Sequence, residues 1–210
     1  MKIVILLFDG VTALDAIGPY EVLSRLPGAS VEFVAKAVGP VRTDNGFLAL
    51  HADHATHTVE RADLLLIPGG RGTRLLVEDE DTLRWVREIH ATTTWTTSVC
   101  TGSLVLAAAG LLDGLVAVTH WSMMSELGEL GAEATPGRYH FAGDKIVTAA
   151  GVSAGIDMAL ALTARIGGEA LAQALQLGIE YDPAPPFDAG SLDKAPPEVV
   201  GLVRAALERR

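Results

Sequence analysis

The chain has 210 residues, 49% of them hydrophobic and 20% charged, which suits one globular domain with a core of Leu, Val, Ile and Ala. A formal net charge of -10 argues against nucleic acid and anionic membrane surfaces as partners. The apolar stretch LVLAAAGLL at 104 to 112 is far short of a bilayer span, and MKIVILLFDG reaches an acidic turn too soon for a signal peptide, so a cytoplasmic protein is expected.

Short apolar runs rich in β-branched residues alternate with longer segments of helical period, which predicts an α/β fold with a mostly parallel sheet. KIVILLF (2 to 8) reads as a buried strand. GPYEVLSRL (18 to 26) reads as a helix with Pro19 in its first turn, and SVEFVAKA (30 to 37) as a second strand. Asn45-Gly46 signals a turn and predicts a small antiparallel excursion within 41 to 59. ADLLLIPGG (62 to 70) is a central strand running into a Pro-Gly-Gly turn, and DTLRWVREIH (81 to 90) is an amphipathic helix. A strand over 93 to 99 then meets Cys100, and the helical run TGSLVLAAAGLL starts at Thr101. VAVTHW (116 to 121) is a further strand, followed by a helix through Leu130. TPGRYHFAGDKIVTAAG (135 to 151) reads as a strand pair, and SAGIDMALALTARIGG (153 to 168) as a core helix ended by glycine. Helices at 169 to 180 and 197 to 208 flank the Pro-rich YDPAPPFDAGS. No repeat or low-complexity tract divides the sequence, so a single domain over residues 1–210 is expected.

Cys100 is the one cysteine in the chain, so it can form neither an internal disulfide nor a multi-thiolate metal site. Between a strand and a helix, with small neighbours, it sits where other α/β enzymes carry a nucleophile elbow. The helix N-terminus is expected to lower the thiol pKa, and the N–H of Thr101 to face an anion forming on a substrate. Loops at the carboxyl ends of parallel strands converge on one crevice. That brings in Pro68-Gly69-Gly70, where the amide of Gly69 or Gly70 would complete an anion hole with Thr101. It also brings in Asp15, expected in the loop after the first strand, as the acid.

Each of these has a plain structural reading too: a lone cysteine as buried filler, Asp15 as the cap of a helix starting near Gly18, Pro-Gly-Gly as only a turn. His51, His54 and His57 form an HxxHxxH pattern, but on a strand that spacing alternates faces, so exposed histidines rather than zinc ligands are expected. Trp85, Trp95 and Trp121 read as core or rim residues.

Taken together, LDAIGPYEVL (14 to 23), LLLIPGGRG (64 to 72), SVCTGSLVLAAAGLL (98 to 112), THW (119 to 121) and AGVSAGIDMALAL (150 to 162) resemble the DJ-1/PfpI superfamily over nearly the whole chain. QLGIEYDPAPPFDAGS (176 to 191) is similar to a C-terminal segment of its isonitrile-hydrating branch. The resemblance implies a flavodoxin-like sandwich, usually a homodimer and without a cofactor, that hydrates a small-molecule isonitrile to an N-substituted formamide. It implies Cys100 as nucleophile, Asp15 as the acidic partner contacting the thiol, and Thr101 as a residue whose side chain and amide both belong to the site. Gly70 falls in the matching anion-hole turn. Val152, in the segment matching a helix entrance, is expected to pack near the thiol and gate that helix. His120 either orients near the site or serves a structural hydrogen bond.

Thr101 stands where protease-like and glyoxalase-like members carry His, which weakens those readings. An amidase- or glyoxalase-like cysteine enzyme remains an alternative, as does a redox sensor. Members that regulate transcription carry an added helix-turn-helix domain, for which the chain leaves no room, so DNA binding is not expected.

Overall fold

Runs that are apolar at consecutive positions form strands covered on both faces, and the amphipathic segments between them supply the cover. The computed structural model describes residues 1–208. β1 (Lys2–Leu6), α1 (Ala13–Leu23) and β2 (Ser30–Ala35) open the fold, followed by a hairpin of β3 (Gly39–Arg42) and β4 (Ala49–Ala52) and by the short β5 (His54–Ala55). Next come β6 (Leu64–Ile67), α2 (Thr73–Leu76), α3 (Glu80–Thr92), β7 (Trp95–Val99) and α4 (Gly102–Ala108). β8 (Val116–Ala117), α5 (Met124–Glu129), β9 (Glu133–Ala134), β10 (Tyr139–Ala142), β11 (Ile146–Ala149), α6 (Ala154–Gly167), α7 (Glu169–Gly178) and α8 (Pro197–Glu208) complete the order.

The main sheet has seven strands in the order β10-β11-β7-β6-β1-β2-β5. Its pairs are parallel except β10 with β11, which is the expected strand pair. β6 is buried at all four positions, as a strand deep in a parallel sheet must be. Because β1, β6 and β7 are neighbours running the same way, the loops that leave their carboxyl ends share one edge. The loop after β1 is tied on both sides, by isolated bridges from Val11 to Thr43 and from Val11 to Gly70. The chain divides into two compact units: Met1–Ile179 holds the sheet, and the residues from Glu180 on hold α8. No helix among the described residues is long and apolar enough to cross a membrane.

Two elements differ from the sequence expectation. The first helix begins at Ala13, so Asp15 lies in its first turn rather than in a loop, and Pro19 lies in its interior. Pro19 has no N–H to offer the Asp15 carbonyl, a loss the helix tolerates where it packs on α6. There the contact is close: a Cβ on Gly155 would lie 3.0 Å from both Pro19 Cγ and Val99 Cγ2, and one on Gly18 would lie 3.1 Å from Ile156 Cγ1. The strand expected over 116 to 121 is only Val116–Ala117, paired with β9 outside the main sheet. It stops because the Val118 N–H is taken by Thr148 Oγ1 at 2.9 Å and His120 then caps a 3-10 turn over Trp121–Met123.

His51, His54 and His57 are exposed and fall on three different elements. Trp85 is buried and donates its Nε1–H to the Val59 carbonyl at 3.2 Å, while Trp95 and Trp121 are half-buried.

The α1–α6 contact has no room to grow. Gly155→Leu is expected to destabilise the fold by about 1–3 kcal/mol in urea denaturation. Gly128→Ala, on α5 where an added Cβ meets nothing within 4 Å, is expected to stabilise it by roughly 0.5–1 kcal/mol.

Candidate active site

Cys100 has φ 56°, and among the described residues only Glu180 shares a positive φ without being glycine. Such a conformation costs about 1–3 kcal/mol and persists only where its surroundings enforce it. Here the enforcement comes from both sides. The Cys100 N–H donates to the carbonyls of Ala149 (3.0 Å) and Ala150 (3.2 Å), at and just past the end of β11. Its own carbonyl accepts from Ser103 Oγ at 3.1 Å and Thr119 Oγ1 at 3.0 Å. The expected elbow is therefore present, with the cysteine 6% exposed above the end of β7.

The Pro-Gly-Gly turn after β6 lies directly against it. A Cβ on Gly69 would fall 2.5 Å from Thr101 N and 2.8 Å from both Asp15 Oδ2 and Cys100 Cβ, so a side chain there would force acid and thiol apart. Gly70 adopts φ 135°, a region that favours glycine. The amides of this turn do not stand free as the sequence suggests. The Gly69 N–H donates to Asp15 Oδ2 at 3.0 Å, and the Gly70 N–H donates to Thr101 Oγ1 at 2.9 Å. The turn comes so close to the elbow that its donors clamp Asp15 and Thr101 instead of facing an open anion hole.

Asp15 is fully buried, and its Oδ1 has no N–H or O–H partner among the described residues. Burial pushes its carboxyl up to about 7, against the pull of the Gly69 N–H and the neighbouring Cys100 thiol, with the negative charge of Asp44 adding to the rise. Burial, reinforced by the charge on Asp15, likewise holds the Cys100 thiol well above its ordinary value, and the Thr101 N–H and hydroxyl only partly offset this. The expected lowering by the helix terminus is thus overturned. α4 has only seven residues, and desolvation outweighs its dipole. An ionised Asp15 therefore opposes loss of the thiol proton while accepting a hydrogen bond from it.

His120 accepts the Ser122 N–H on Nδ1 at 3.3 Å, and its ring covers Gly151, where an added Cβ would run into it. Burial lowers its pKa, so the ring is neutral and packs beside the segment that receives the Cys100 N–H. Val152 is half-buried in the turn between β11 and α6, two residues past the Ala150 carbonyl.

Five residues that the sequence reading did not assign to the site hold it together. Ser103 and Thr119 fix the elbow, and Thr73 Oγ1 donates to the Gly70 carbonyl at 2.7 Å. Thr12 donates through its N–H to the Gly69 carbonyl (2.9 Å) and through Oγ1 to Asp44 Oδ2 (2.7 Å), tying the hairpin loop to the first turn of α1. A signal existed only for Ser103 and Thr119, which lie in the SVCTGS and THW stretches.

The sequence pattern of the DJ-1/PfpI family matches residues 1–165. An isonitrile hydratase from Pseudomonas putida is 45% identical over 204 residues, covering 97% of this chain and 89% of that protein. The crystal structure of a ThiJ/PfpI family protein from Pseudomonas syringae superimposes with a TM-score of 0.93 at 38% identity, over 99% of this chain and 86% of that one. Oxidised DJ-1 from Toxoplasma gondii shares the fold, with a TM-score of 0.75 at 24% identity over 87% of this chain and 99% of its own.

A carboxyl raised from 3.8 to about 7 binds its proton more tightly in the folded than in the unfolded chain. Its contribution to stability is full below the unfolded value and is lost as pH rises through the folded one. Asp15→Asn removes that loss. Its stability relative to the native protein is expected to rise by a few kcal/mol from acid to neutral pH, read from urea denaturation across that range.

Proposed function

The chain belongs to the DJ-1/PfpI family, and from that premise we propose that it is a lyase that hydrates isonitriles to N-substituted formamides, with Cys100 as nucleophile and Asp15 as acid and base. The observation that carries the proposal is the buried Cys100–Asp15 pair, packed so closely across Gly69 that a Cβ there would lie 2.8 Å from both Asp15 Oδ2 and Cys100 Cβ.

An isonitrile presents a terminal carbon that must gain both a nucleophile and a proton. Asp15, ionised, takes the thiol proton as the sulfur attacks that carbon, then returns it to the same carbon, giving a thioimidate, R–N=CH–S–Cys. Water adds to the thioimidate carbon as Asp15 accepts one of its protons and passes it to nitrogen. Collapse expels the sulfur and releases R–NH–CHO, and the remaining proton restores the pair. No atom changes oxidation state across the cycle, so the chemistry calls for no redox cofactor. Thr101 lies against the sulfur through both its N–H and its hydroxyl, and so stabilises the thiolate as it forms and as it leaves. Gly69 and Gly70 serve as positioning elements for Asp15 and Thr101. A redox sensor instead selects an exposed thiol, and Cys100 is 6% exposed.

The proposal extends to a homodimer in the cytoplasm. Chemistry that rests on one free thiol suits a reducing compartment, and Phe47 (92% exposed) and Leu75 (75%) are side chains a second copy would cover. Sedimentation equilibrium is expected to give twice the 22.0 kDa chain mass, and a monomer at micromolar concentration would count against it.

With an aromatic or cyclohexyl isonitrile, the native protein is expected to release formamide, and Cys100→Ala and Asp15→Asn to lose at least about 1,000-fold in kcat/KM. Activity is expected to fall as pH drops through about 7, where the second proton loads the pair and quenches the nucleophile. No formamide from folded, reduced native protein would sink the assignment.

A further inference from the structure

Beside the thiol, two hydroxyls and one carbonyl form a cluster with more contacts than protons. The Gly70 carbonyl faces Thr73 Oγ1 at 2.7 Å, the Thr73 N–H at 3.1 Å and Thr101 Oγ1 at 3.1 Å. The two hydroxyl oxygens lie 3.0 Å apart, and Thr101 Oγ1 also accepts the Gly70 N–H at 2.9 Å. A carbonyl has two lone pairs and a hydroxyl has one proton, so these contacts cannot all be hydrogen bonds at once.

Three arrangements satisfy the count. In one, Thr73 donates to Thr101 and Thr101 donates to the carbonyl, which uses up the Thr101 proton within the cluster. In the other two, the N–H and hydroxyl of Thr73 fill both lone pairs of the carbonyl. Thr101, still accepting from Gly70, then turns its proton either to Thr73 Oγ1 or to the Cys100 sulfur against which its hydroxyl lies, and the sulfur becomes the stronger acceptor as negative charge gathers on it. These two use the shorter of the oxygen contacts, and Thr73 is 1% exposed, so bulk water does not compete for its hydroxyl.

We infer that Thr73 is a positioning residue: by occupying the Gly70 carbonyl it releases the Thr101 hydroxyl to donate to the Cys100 sulfur as negative charge gathers there. The inference rests on Cys100 as the nucleophile, but not on the identity of the substrate. Thr73 itself touches neither the sulfur nor the reacting carbon, so its effect must pass through Thr101.

The chain has one cysteine, so the rate of alkylation by iodoacetamide followed against pH reports this thiol alone. The charged group that acts on the thiol is Asp15 on α1, with Asp44 of the hairpin loop behind it, and the variants leave both in place. Thr73→Val, which keeps the volume and removes the hydroxyl, is expected to slow alkylation near neutral pH about ten-fold and to move its titration to higher pH, as Thr101→Val does. Thr73→Ser keeps the native profile. In the Thr101→Val background, Thr73→Val adds nothing. With isonitrile, Thr73→Val lowers kcat by a similar factor and leaves KM unchanged. A native alkylation profile in Thr73→Val, or independent losses that multiply in the double variant, overturns the inference. Thr73→Ala repeats the comparison if the buried valine disturbs α2. Should the native protein make no formamide, the hydratase reading fails while the alkylation series still decides the role of Thr73.

Discussion

A thiol and a carboxyl buried side by side cannot both carry charge at neutral pH, and the site is arranged around that constraint. Asp15 is fully buried and Cys100 nearly so; the charge on Asp15 opposes ionisation of the thiol, while the protonated thiol supports the carboxylate by hydrogen bonding. Such a pair would drift apart or fill with water unless it were fixed by the backbone. Gly69 fixes it, reaching the carboxylate with its N–H and leaving no volume for a side chain between acid and sulfur. The strained φ of Cys100 belongs to the same arrangement, because it turns the thiol off the strand towards the carboxyl. The bonds from Ser103 and Thr119, and those to Ala149 and Ala150, keep that conformation from relaxing.

The position of the helix terminus follows from this. A helix beginning at the cysteine is the feature from which a low thiol pKa is expected, yet the dipole of a seven-residue helix acts on a group whose water has been removed. Desolvation sets the sign, and the Thr101 donors set how far it is moderated. In the proposed reaction the nucleophile is therefore made on demand, by transfer of its proton to a neighbouring carboxylate whose own proton affinity burial has raised, and does not wait as a standing thiolate. That suits a reaction whose carbon must take up the very proton the sulfur gives away.

The parallel sheet, the elbow and the Asn45-Gly46 hairpin were legible in the sequence because each depends on residues close together along the chain: LLLI in β6, small residues around Cys100, a turn dipeptide. The start of α1 was not, because Pro19 is a strong local signal for a first turn, and only packing against α6 keeps it inside the helix. Nor was the commitment of the Gly69 and Gly70 amides. Gly69 meets a carboxyl 54 positions away and Gly70 a hydroxyl 31 positions away, and no local pattern encodes such distances. Thr73, Thr12 and Asp44 were invisible for the same reason, since their chemistry lies in which loop they face.

The acceptors of the Cys100 N–H lie at and just past the end of β11, which docks on β7 from much later in the chain. This makes the elbow a high-contact-order feature: closing it requires the sheet to be complete through β11, and such long-range pairings form slowly. During synthesis the sulfur leaves the ribosome well before the carbonyls that will hold it. The strained turn at Cys100 can thus be held only in a chain whose sheet has closed through β11.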